Sequence, residues 1–318
     1  MVDSISVSKK KRKLLIEIKE NFPLLLLALP GFILLVMFNY APMSGLILAF
    51  KDYTMQKGIF GSDWADPIFR NFYFFFRSFS TAMRSVRNTI GLNFLFFGFG
   101  SLVSISIAIM LSELTKRWFV KITQSVIFFP YFISWTVLGC ILTTSVLKFD
   151  GGIVNNALSL LGIEPFDFYA NPYYWVPILT ICSAWQSAGY SSVIYYAVLT
   201  GFDPSYYEAA VVDGATKWQQ ITLISLPLLR PTFITLFLLS LGGMLRGNLS
   251  MMLGLTNLNP SLLPVTDVID VFVYRTSIRN SEMAFSSAIS LFQSIFGFCL
   301  VMLSNALVRK ADRELALF

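Results

Sequence analysis

The chain has 318 residues, a net charge of +6 and no histidine, and 55% of its residues are hydrophobic whereas only 13% are charged. This composition, with a mean hydropathy of +0.67, is typical of a polytopic membrane protein. Histidine-based catalysis is excluded, and the three cysteines are too widely spaced in apolar runs to indicate a disulfide framework or a metal site.

A basic run, Lys9–Lys13, precedes the first apolar stretch. Such a run is expected from the excess of positive charge on cytoplasmic segments and from attraction to anionic lipids. We therefore expect the lipid bilayer, and no nucleic acid, as its partner. The stretch resembles a signal peptide, but Pro23 and Pro30 interrupt it and no small-residue cleavage site follows. It is predicted to be an uncleaved first span.

Several apolar stretches approach the length of about 20 residues that a helix needs to cross the hydrocarbon core. They are residues 22–42, 89–112, 122–146, 173–199, 227–250 and 286–308. We predict an all-α integral membrane protein with about six transmembrane helices. Its membrane domain, residues 22–308, lies between a cytoplasmic basic amino terminus, residues 1–21, and a cytoplasmic carboxy-terminal tail, residues 309–318.

The fourth stretch is polar for a membrane span, because it contains Ser183, Gln186, Ser187, Tyr190, Ser191 and Ser192. Polar side chains at membrane depth are expected to face protein or water, so this helix is predicted to line a pathway. Trp185, Gln186 and Tyr190 are candidates for contacts with a transported solute. Ordinary interhelical hydrogen bonding is the alternative.

The distribution of basic residues predicts the orientation. With a cytoplasmic amino terminus, most of the positive charge in short segments lies inside, on Lys9, Lys10, Lys11, Arg12, Lys13, Lys19, Lys116, Arg117, Lys121, Lys217, Arg230, Arg309, Lys310 and Arg313. The connector between the fourth and fifth stretches, residues 201–227, is then cytoplasmic.

This connector contains start and stop signals for two short helices. Asp203 can cap a helix whose first position is Pro204, because proline lacks the amide hydrogen that would be unpaired there. Gly214 suits the left-handed position just past a helix end, and Thr216 with Gln219 forms a capping box that starts a second helix.

Pro227 is expected to disrupt that second helix where the fifth span begins. Ala209 and Ala210 are small enough for a partner to approach closely. A connector that only joined two spans would need few polar residues, so this one is predicted to be a docking surface.

Arg246 lies 19 residues beyond Pro227, or about 28 Å along a helix, which is close to the ~30 Å thickness of the hydrocarbon core. We expect its side chain to reach the outer headgroups, with a site for acidic sugars as the alternative. Asn248 is a further candidate for contacts with the solute.

The stretch Glu208-Ala209-Ala210, followed by Gly214 and then by Ile224-x-Leu226-Pro227, resembles the Glu-Ala-Ala loop of binding-protein-dependent ABC importer permeases. Further stretches look like oligosaccharide-importer permeases of the LplB and alginate-permease type. They are Pro42–Leu46, Ala49–Tyr53, Arg87–Thr89, Phe129–Trp135, Gly151–Asn155, Asp267–Asp270 and Val273–Arg275. Leu249-Ser250-Met251 departs from the Phe-Asp-Gln that relatives commonly carry, which leaves substrate specificity open.

The resemblance implies a type I ABC importer fold in a bacterial cytoplasmic membrane, with a coupling helix that docks on an ATPase. The implied ATPase-coupling residues are Glu208, Ala209, Ala210, Asp213, Gly214, Ile224, Leu226 and Pro227. The implied partners are a second, non-identical permease, two nucleotide-binding ATPases and an extracytoplasmic solute-binding protein. An oligosaccharide substrate would suit the aromatic and amide side chains of the fourth span.

No Gly-x-x-x-x-Gly-Lys-Ser/Thr phosphate loop occurs in the chain, so we expect no enzymatic activity and no cofactor in this subunit. The resemblance implies that the partner ATPase binds ATP and Mg. An integral membrane enzyme would need a paired carboxylate or a Ser/Lys site, and a secondary carrier would need inverted repeats or midplane ionisable groups. Neither pattern is evident. Import of amino acids or phosphate remains an alternative to oligosaccharides.

Overall fold

The computed structural model describes residues 21–77, 79–280 and 283–317, and helices dominate them. The predicted basic amino terminus, residues 1–21, lies outside the described residues except for residue 21. The α-helices are α1 Phe22–Leu35, α2 Gly58–Gly61, α3 Arg70–Arg77, α4 Phe79–Ser112, α5 Arg117–Phe128, α6 Trp135–Ile141, α7 Ile153–Leu160, α8 Trp175–Thr200, α9 Ser205–Val212, α10 Lys217–Gln220, α11 Leu226–Leu241, α12 Leu249–Thr256, α13 Leu263–Thr266, α14 Ile269–Asn280 and α15 Met283–Ala311.

Shorter elements extend or join these helices. The π-helical turns are Val36–Tyr40, Leu142–Val146 and Ile221–Ser225, and the 3-10 helices are Ala41–Phe50, Phe129–Phe132, Pro172–Tyr174, Pro260–Leu262 and Arg313–Leu315. Strands β1, Lys51–Asp52, and β2, Asp63–Trp64, pair antiparallel with Lys51 opposite Trp64.

Four continuous helices in the described residues are long and apolar enough to cross a membrane: Phe22–Phe50, Phe79–Ser112, Lys217–Leu241 and Met283–Lys310. Two further helices, Arg117–Phe132 and Trp135–Val146, are together long and apolar enough for a fifth crossing, but they are bent by 92° relative to each other, as in a broken span or a re-entrant loop. The prediction of one uninterrupted third span, 122–146, is therefore wrong. Pro130 sits in the 3-10 turn before the bend, and the Ser134 hydroxyl caps the next helix by accepting a hydrogen bond from Val137 N at 3.2 Å.

The predicted fourth span is present as α8, a helix of 26 residues. It is not among the helices apolar enough to count as a span, because its serines lower its hydropathy. These hydroxyls bond within their own helix: Ser187 Oγ donates to Ser183 O, and Ser192 Oγ donates to Gly189 O, both at 2.7 Å. Polar groups satisfied in this way are compatible with burial, and α8 packs along α4 in the middle of the bundle.

The fifth span differs from its prediction at both ends. The second connector helix, α10, continues through the π-helical turn Ile221–Ser225 into α11, so Pro227 does not disrupt it. In that turn Leu226 N donates to Ile221 O, five residues back, and this shift in register accommodates the missing amide hydrogen of Pro227. The helix then ends at Leu241 rather than at residue 250.

Beyond Leu241, residues 242–248 leave the helical path, and we call this segment the break. Helix α12 follows and crosses α6 at two glycines: a Cβ on Gly139 would lie 1.7 Å from Gly254 O, and a Cβ on Gly254 would lie 2.5 Å from the carbonyl carbon of Trp135. Any larger residue at either position would separate the two helices.

Buried side chains lie toward both ends of the bundle. One group surrounds Trp175, Leu179, Met252 and Leu255, where α6, α8 and α12 meet. Another contains Ala108, Tyr195, Leu199 and Leu229, near the connector.

Candidate functional site

The coupling segment, residues 201–227, begins with a capped helix. Asp203 Oδ1 accepts a hydrogen bond from Ser205 N at 2.9 Å, and α9 starts at Ser205. This backbone hydrogen bond holds the pKa of the Asp203 carboxyl below its ordinary value, because it favours the charged form. The structure confirms the predicted helix start to within one residue.

The turn between α9 and α10 also follows its sequence signals. Gly214 has a φ of +77°, which side chains with a Cβ rarely adopt. Thr216 Oγ1 accepts from Gln219 N at 3.3 Å, and Gln219 Oε1 accepts from Thr216 N at 2.8 Å, which completes a capping box. The predicted arrangement of helix, glycine turn and helix is confirmed.

The coupling segment exposes apolar surface together with its predicted docking residues. Val212 is 86% exposed and Trp218 72% exposed, with Val211 and Leu223 beside them in sequence. Among the predicted coupling residues, Ala210 and Ile224 are half-buried, and the exposed ones are Glu208, Ala209, Asp213, Gly214, Leu226 and Pro227. Exposed large apolar residues in such a group are typical of a protein-protein interaction site.

One side-chain contact links the two ends of the coupling segment to each other, and a second contact fixes the segment to the bundle. The hydroxyls of Tyr207 and Ser225 lie 3.0 Å apart and share a hydrogen bond. Lys217 Nζ lies 2.7 Å from Glu113 Oε2, which belongs to the loop after α4. A cleft of about 410 Å³ lies between these contacts. The loop after α4 and the coupling segment therefore lie at the same end of the molecule.

Two of the solute candidates on α8 contact the bent helix pair, Arg117–Phe132 and Trp135–Val146. Gln186 Nε2 donates to Ile133 O at 2.7 Å, which satisfies a carbonyl released by the bend. The rings of Tyr190 and Tyr131 stack with centroids 4.8 Å apart and planes 13° apart. Trp185 is 46% exposed on the same helix. Gln186 thus has a structural partner, whereas Trp185 and Tyr190 present aromatic surface.

Around this stacked pair lies an aromatic cluster, Phe128, Tyr131, Phe132 and Tyr190, in which neighbouring ring centroids are 4.8 to 5.9 Å apart. Phe132 is 72% exposed. The sequence pattern does not identify Phe128, Tyr131 or Phe132 as site residues. The available signal was their concentration around Pro130, where a helix is expected to break.

Arg246 and Asn248 lie in the break, at the end of α11 opposite the coupling segment. Arg246 is exposed, and its predicted reach along a continuous helix is wrong because α11 ends at Leu241. Asn248 Oδ1 accepts from Met251 N at 3.0 Å and caps α12. Asn93 Nδ2, from α4, donates to Met244 O at 2.8 Å and to Arg246 O at 3.0 Å.

The rest of the break is held from α14 and α15. Gln293 Nε2 donates to Leu245 O at 2.7 Å and to Asp270 Oδ2 at 3.3 Å. Gly247 N also donates to Asp270 Oδ2. Irregular backbone buried among helices needs such partners, because an unpaired group there is costly. The break is therefore fixed by side chains from three other helices.

Stretches quoted for the family resemblance meet next to the break. Asp267 is fully buried, and its carboxylate accepts from Arg84 at 3.1 Å and from Arg275 at 2.8 Å. Thr89 Oγ1 accepts from Ile269 N at 2.9 Å. The Arg87–Thr89 and Asp267–Asp270 stretches are nearly 180 residues apart in sequence, and the structure brings them into contact.

Within the described part of the chain, no group of three His, Cys, Asp or Glu residues could hold a metal ion. The arrangement offers a docking surface at one end, an aromatic surface beside α8 and a fixed break at the other end. It suits movement of a solute through the bundle.

Comparison with known proteins supports this interpretation. The family described as binding-protein-dependent transport system inner membrane component matches residues 10–315. The polygalacturonan/rhamnogalacturonan transport system permease protein YteP of Bacillus subtilis (strain 168) is 33% identical over 316 residues, covering 98% of this chain and 96% of that protein. Protein LplB of the same strain is 32% identical, covering 93% of this chain and 92% of its own length.

A solved structure confirms the predicted type I ABC importer fold. In the crystal structure of a bacterial ABC transporter involved in the import of the acidic polysaccharide alginate, one chain is 30% identical and superposes with a TM-score of 0.81. The match covers 94% of this chain and 99% of that chain. A second structure of a bacterial alginate ABC transporter, in complex with an alginate pentasaccharide-bound periplasmic protein, gives a TM-score of 0.79. The chain belongs to the family of inner membrane components of binding-protein-dependent transport systems.

Proposed function

We propose that the chain is one of two non-identical permease subunits of an ATP-driven importer that takes up oligosaccharides. An extracytoplasmic solute-binding protein delivers the substrate, and two separate nucleotide-binding subunits bind ATP and Mg and hydrolyse the ATP. Family membership supports the role of the binding protein. Similarity to proteins described as polysaccharide transport permeases supports the substrate class.

The coupling segment is the observation that carries this proposal. It places the exposed carboxylate of Glu208 in the first turn of α9 and leaves Val212 and Trp218 open to a partner. Glu208 takes part in none of the ion pairs within the described residues. A basic residue in an ATPase groove would complement its charge, and the apolar side chains would supply the buried area.

Both termini and the coupling segment lie on the cytoplasmic side in this proposal. The ion pair between Lys217 and Glu113 supports the placement of two basic loops, the coupling segment and the loop after α4, on the same side of the membrane. The excess of positive charge on this side agrees with the bias of cytoplasmic loops in membrane proteins. The membrane domain, residues 22–308, then forms half of the pathway, and the second permease forms the other half.

The pathway itself runs past α8. Sugar rings stack on aromatic faces, and the aromatic cluster and Trp185 provide such faces on and beside α8. Alternating access requires these faces to be open to one side of the membrane at a time. Closure of the ATPases on ATP would shift the coupling segment and turn the path outward.

Substitution of Glu208 by alanine tests the coupling role. In the assembled complex, reconstituted with its solute-binding protein, we expect Glu208→Ala to lower substrate uptake and substrate-stimulated ATP hydrolysis by about 10-fold or more, because an unpaired charge remains in the ATPase groove. Glu208 would otherwise only stabilise its own helix, with an effect of about 0.3 to 1 kcal/mol.

Glu164→Ala, at another exposed glutamate, is the matched control and should transport normally. The Glu208→Ala variant should also keep its level in the membrane and its Tm. Unchanged uptake in Glu208→Ala would contradict the coupling role.

A further inference from the structure

Two arginines share one buried carboxylate at the end of the molecule opposite the coupling segment. Asp267 is fully buried, and it accepts hydrogen bonds from Arg84 at 3.1 Å and from Arg275 at 2.8 Å. The side chains of Arg84 and Arg275 are 37% and 26% exposed, so a partner can reach part of each. Two positive charges thus face one negative charge.

The contacts with Asp267 leave donors of both arginines unused. Each arginine bonds to Asp267 only through its Nη2 atom. Among the residues that the structure describes, Arg84 Nε and Arg275 Nε are the buried side-chain nitrogens that have no hydrogen-bond partner. Asp270, the nearest carboxylate in sequence, accepts from the break instead and forms none of the described ion pairs. Because an arginine prefers to donate two parallel hydrogen bonds to a carboxylate, the site has room for a second carboxylate.

Arg87 adds a third positive charge beside this site. It is exposed, it follows Arg84 by one turn of α4, and its Nη2 donates to Asn88 Oδ1 at 3.4 Å. Asn88 Nδ2 in turn donates to Asp267 O at 3.4 Å. The three guanidinium groups therefore surround one buried anion, and we call Arg84, Arg87 and Arg275 the arginine cluster.

The arginine cluster lies where a soluble protein can reach it. Arg84 precedes Ser112, the last residue of α4, by 28 positions, or about 42 Å along the helix. A bilayer with its headgroups is about 40 to 45 Å thick. Ser112 is followed by Glu113, which pairs with the coupling segment. The cluster is thus at the outer edge of the headgroup region, on the side away from the ATPase subunits.

We propose that the arginine cluster is a docking site for the solute-binding protein and takes an aspartate or glutamate side chain from the surface of that protein. One guanidinium turns toward the incoming carboxylate and donates through its Nε and one terminal nitrogen, while the other keeps Asp267. Arg87 attracts acidic groups around this contact. The inference rests on the proposed delivery of substrate by a solute-binding protein, and it adds the place and the charge of the contact.

The partly exposed charges fit a partner that binds and leaves. Permanent subunit interfaces contain few charged residues at their centre, whereas complementary charges steer transient partners. This difference favours the solute-binding protein over the second permease. Phosphate groups of anionic lipids are another source of negative charge at this depth. Arginines that serve lipids extend toward the headgroups and need no buried carboxylate to hold them against the bundle.

The test measures binding of the cognate solute-binding protein to the full complex of both permeases and the ATPases in nanodiscs. We expect Arg84→Gln to raise the Kd by about 10-fold or more, because a charge-assisted hydrogen-bond pair is lost, and to make the Kd less sensitive to salt. Arg87→Gln removes no contact of Asp267 and should raise the Kd by about 2- to 5-fold. ATP hydrolysis without the solute-binding protein should stay unchanged in both variants.

Lys148→Gln is the matched control. Lys148 is exposed outside the cluster, its neighbour Leu147 packs in the same buried group as Val268, and the substitution removes the same charge. The control should bind the solute-binding protein normally. If Arg84→Gln fails to assemble, Arg87→Gln decides alone.

A Kd that is equal to wild type in the cluster variants, or that changes as much in Lys148→Gln, would overturn the inference. Nanodiscs with and without phosphatidylglycerol separate the lipid alternative. An unchanged Kd, together with a phosphatidylglycerol dependence of ATP hydrolysis that Arg84→Gln abolishes, would assign the cluster to lipids and overturn the inference. A wild-type complex that binds no solute-binding protein would overturn the proposed function as well.

Discussion

The coupling segment and the break lie at opposite ends of one continuous helix, and they are held together in opposite ways. In the coupling segment most caps are local, since Asp203 and Thr216 bond within three residues and Gly214 makes the turn. In the break, backbone groups bond to side chains from α4, α14 and α15. One end leaves apolar surface exposed, and at the other end the backbone is held by side chains of neighbouring helices.

The difference agrees with the demands on the two ends. A docking surface must keep its own shape without its partner, which local caps provide, and must leave its contact residues exposed. Irregular backbone between helices must keep its buried polar groups paired, which the side chains of neighbouring helices provide. Stability should therefore depend strongly on the residues around the break and weakly on the coupling segment.

The largest effect on stability is expected from Asp267→Ala. It leaves Arg84 and Arg275 without their shared buried carboxylate, which costs about 3 to 5 kcal/mol, toward the lower end because both arginines are partly exposed. The measurement is the Tm of the purified permease complex in detergent. Asp63→Ala, which removes an exposed pair with Lys57, is the control and should not change Tm. An unchanged Tm for Asp267→Ala would contradict the claim that stability depends more strongly on residues around the break than on the coupling segment.

A smaller loss is expected from Gln293→Leu. This change keeps the size of the side chain but removes the donor to Leu245 O and to Asp270, leaving a buried carbonyl unpaired at a cost of about 1 to 3 kcal/mol. The Tm of the purified permease complex measures this loss of stability. Ser294→Ala is the control, because the Ser294 hydroxyl bonds only within its own helix. If both variants unfold at the same temperature, the break is not held by Gln293.

Gly214→Ala should cost less, about 1 to 2 kcal/mol, because alanine at a φ of +77° is strained although space is open around it. We expect its effect to be confined to the coupling segment, as faster amide hydrogen exchange in α9 and α10 without change near the break. Gly214→Asn should restore protection, since asparagine tolerates the left-handed conformation. Failure of asparagine to do better than alanine would refute this explanation.

Val212→Asp is expected to have the smallest effect on stability, because the side chain is 86% exposed. Association with the ATPase subunits should nevertheless weaken by about 10-fold or more, since an apolar contact is replaced by a charge. Titration of the purified permease with ATPase measures this affinity. Ile153→Asp, the same kind of change on exposed α7, should bind ATPase normally. A drop in Tm with unchanged ATPase affinity would reverse the roles of the two ends.

The contrast between local and long-range hydrogen bonds also explains which structural features could be predicted from the sequence. The cap at Asp203, the turn at Gly214 and the capping box at Thr216 depend on residues at most three positions apart, so local rules identified them. The partners of the break, Asn93 and Gln293, lie about 150 and 50 residues away from the carbonyls they bind. No periodicity in one sequence reveals such pairings.

The wrong predictions, at Pro227 and around Pro130, also arise from contacts that are distant in sequence. Pro227 is tolerated because the preceding π-helical turn shifts the hydrogen-bond register, and Pro130 is followed by a 92° bend whose free carbonyl is satisfied by Gln186. A proline signals that a helix must adjust, but the surrounding helices decide whether it continues or bends. The aromatic cluster escaped prediction for this reason, since the bend brings Tyr131 against Tyr190.

The continuity of the helix from Lys217 to Leu241 turns it into a lever. Its 25 residues span about 37 Å, with the coupling segment at one end and the break just beyond the other. If the base tilts by about 10°, the far end swings through roughly 6 Å, as simple geometry on that length requires. A small displacement at the end that carries the coupling segment would thus become a shift of about the width of a sugar ring at the break.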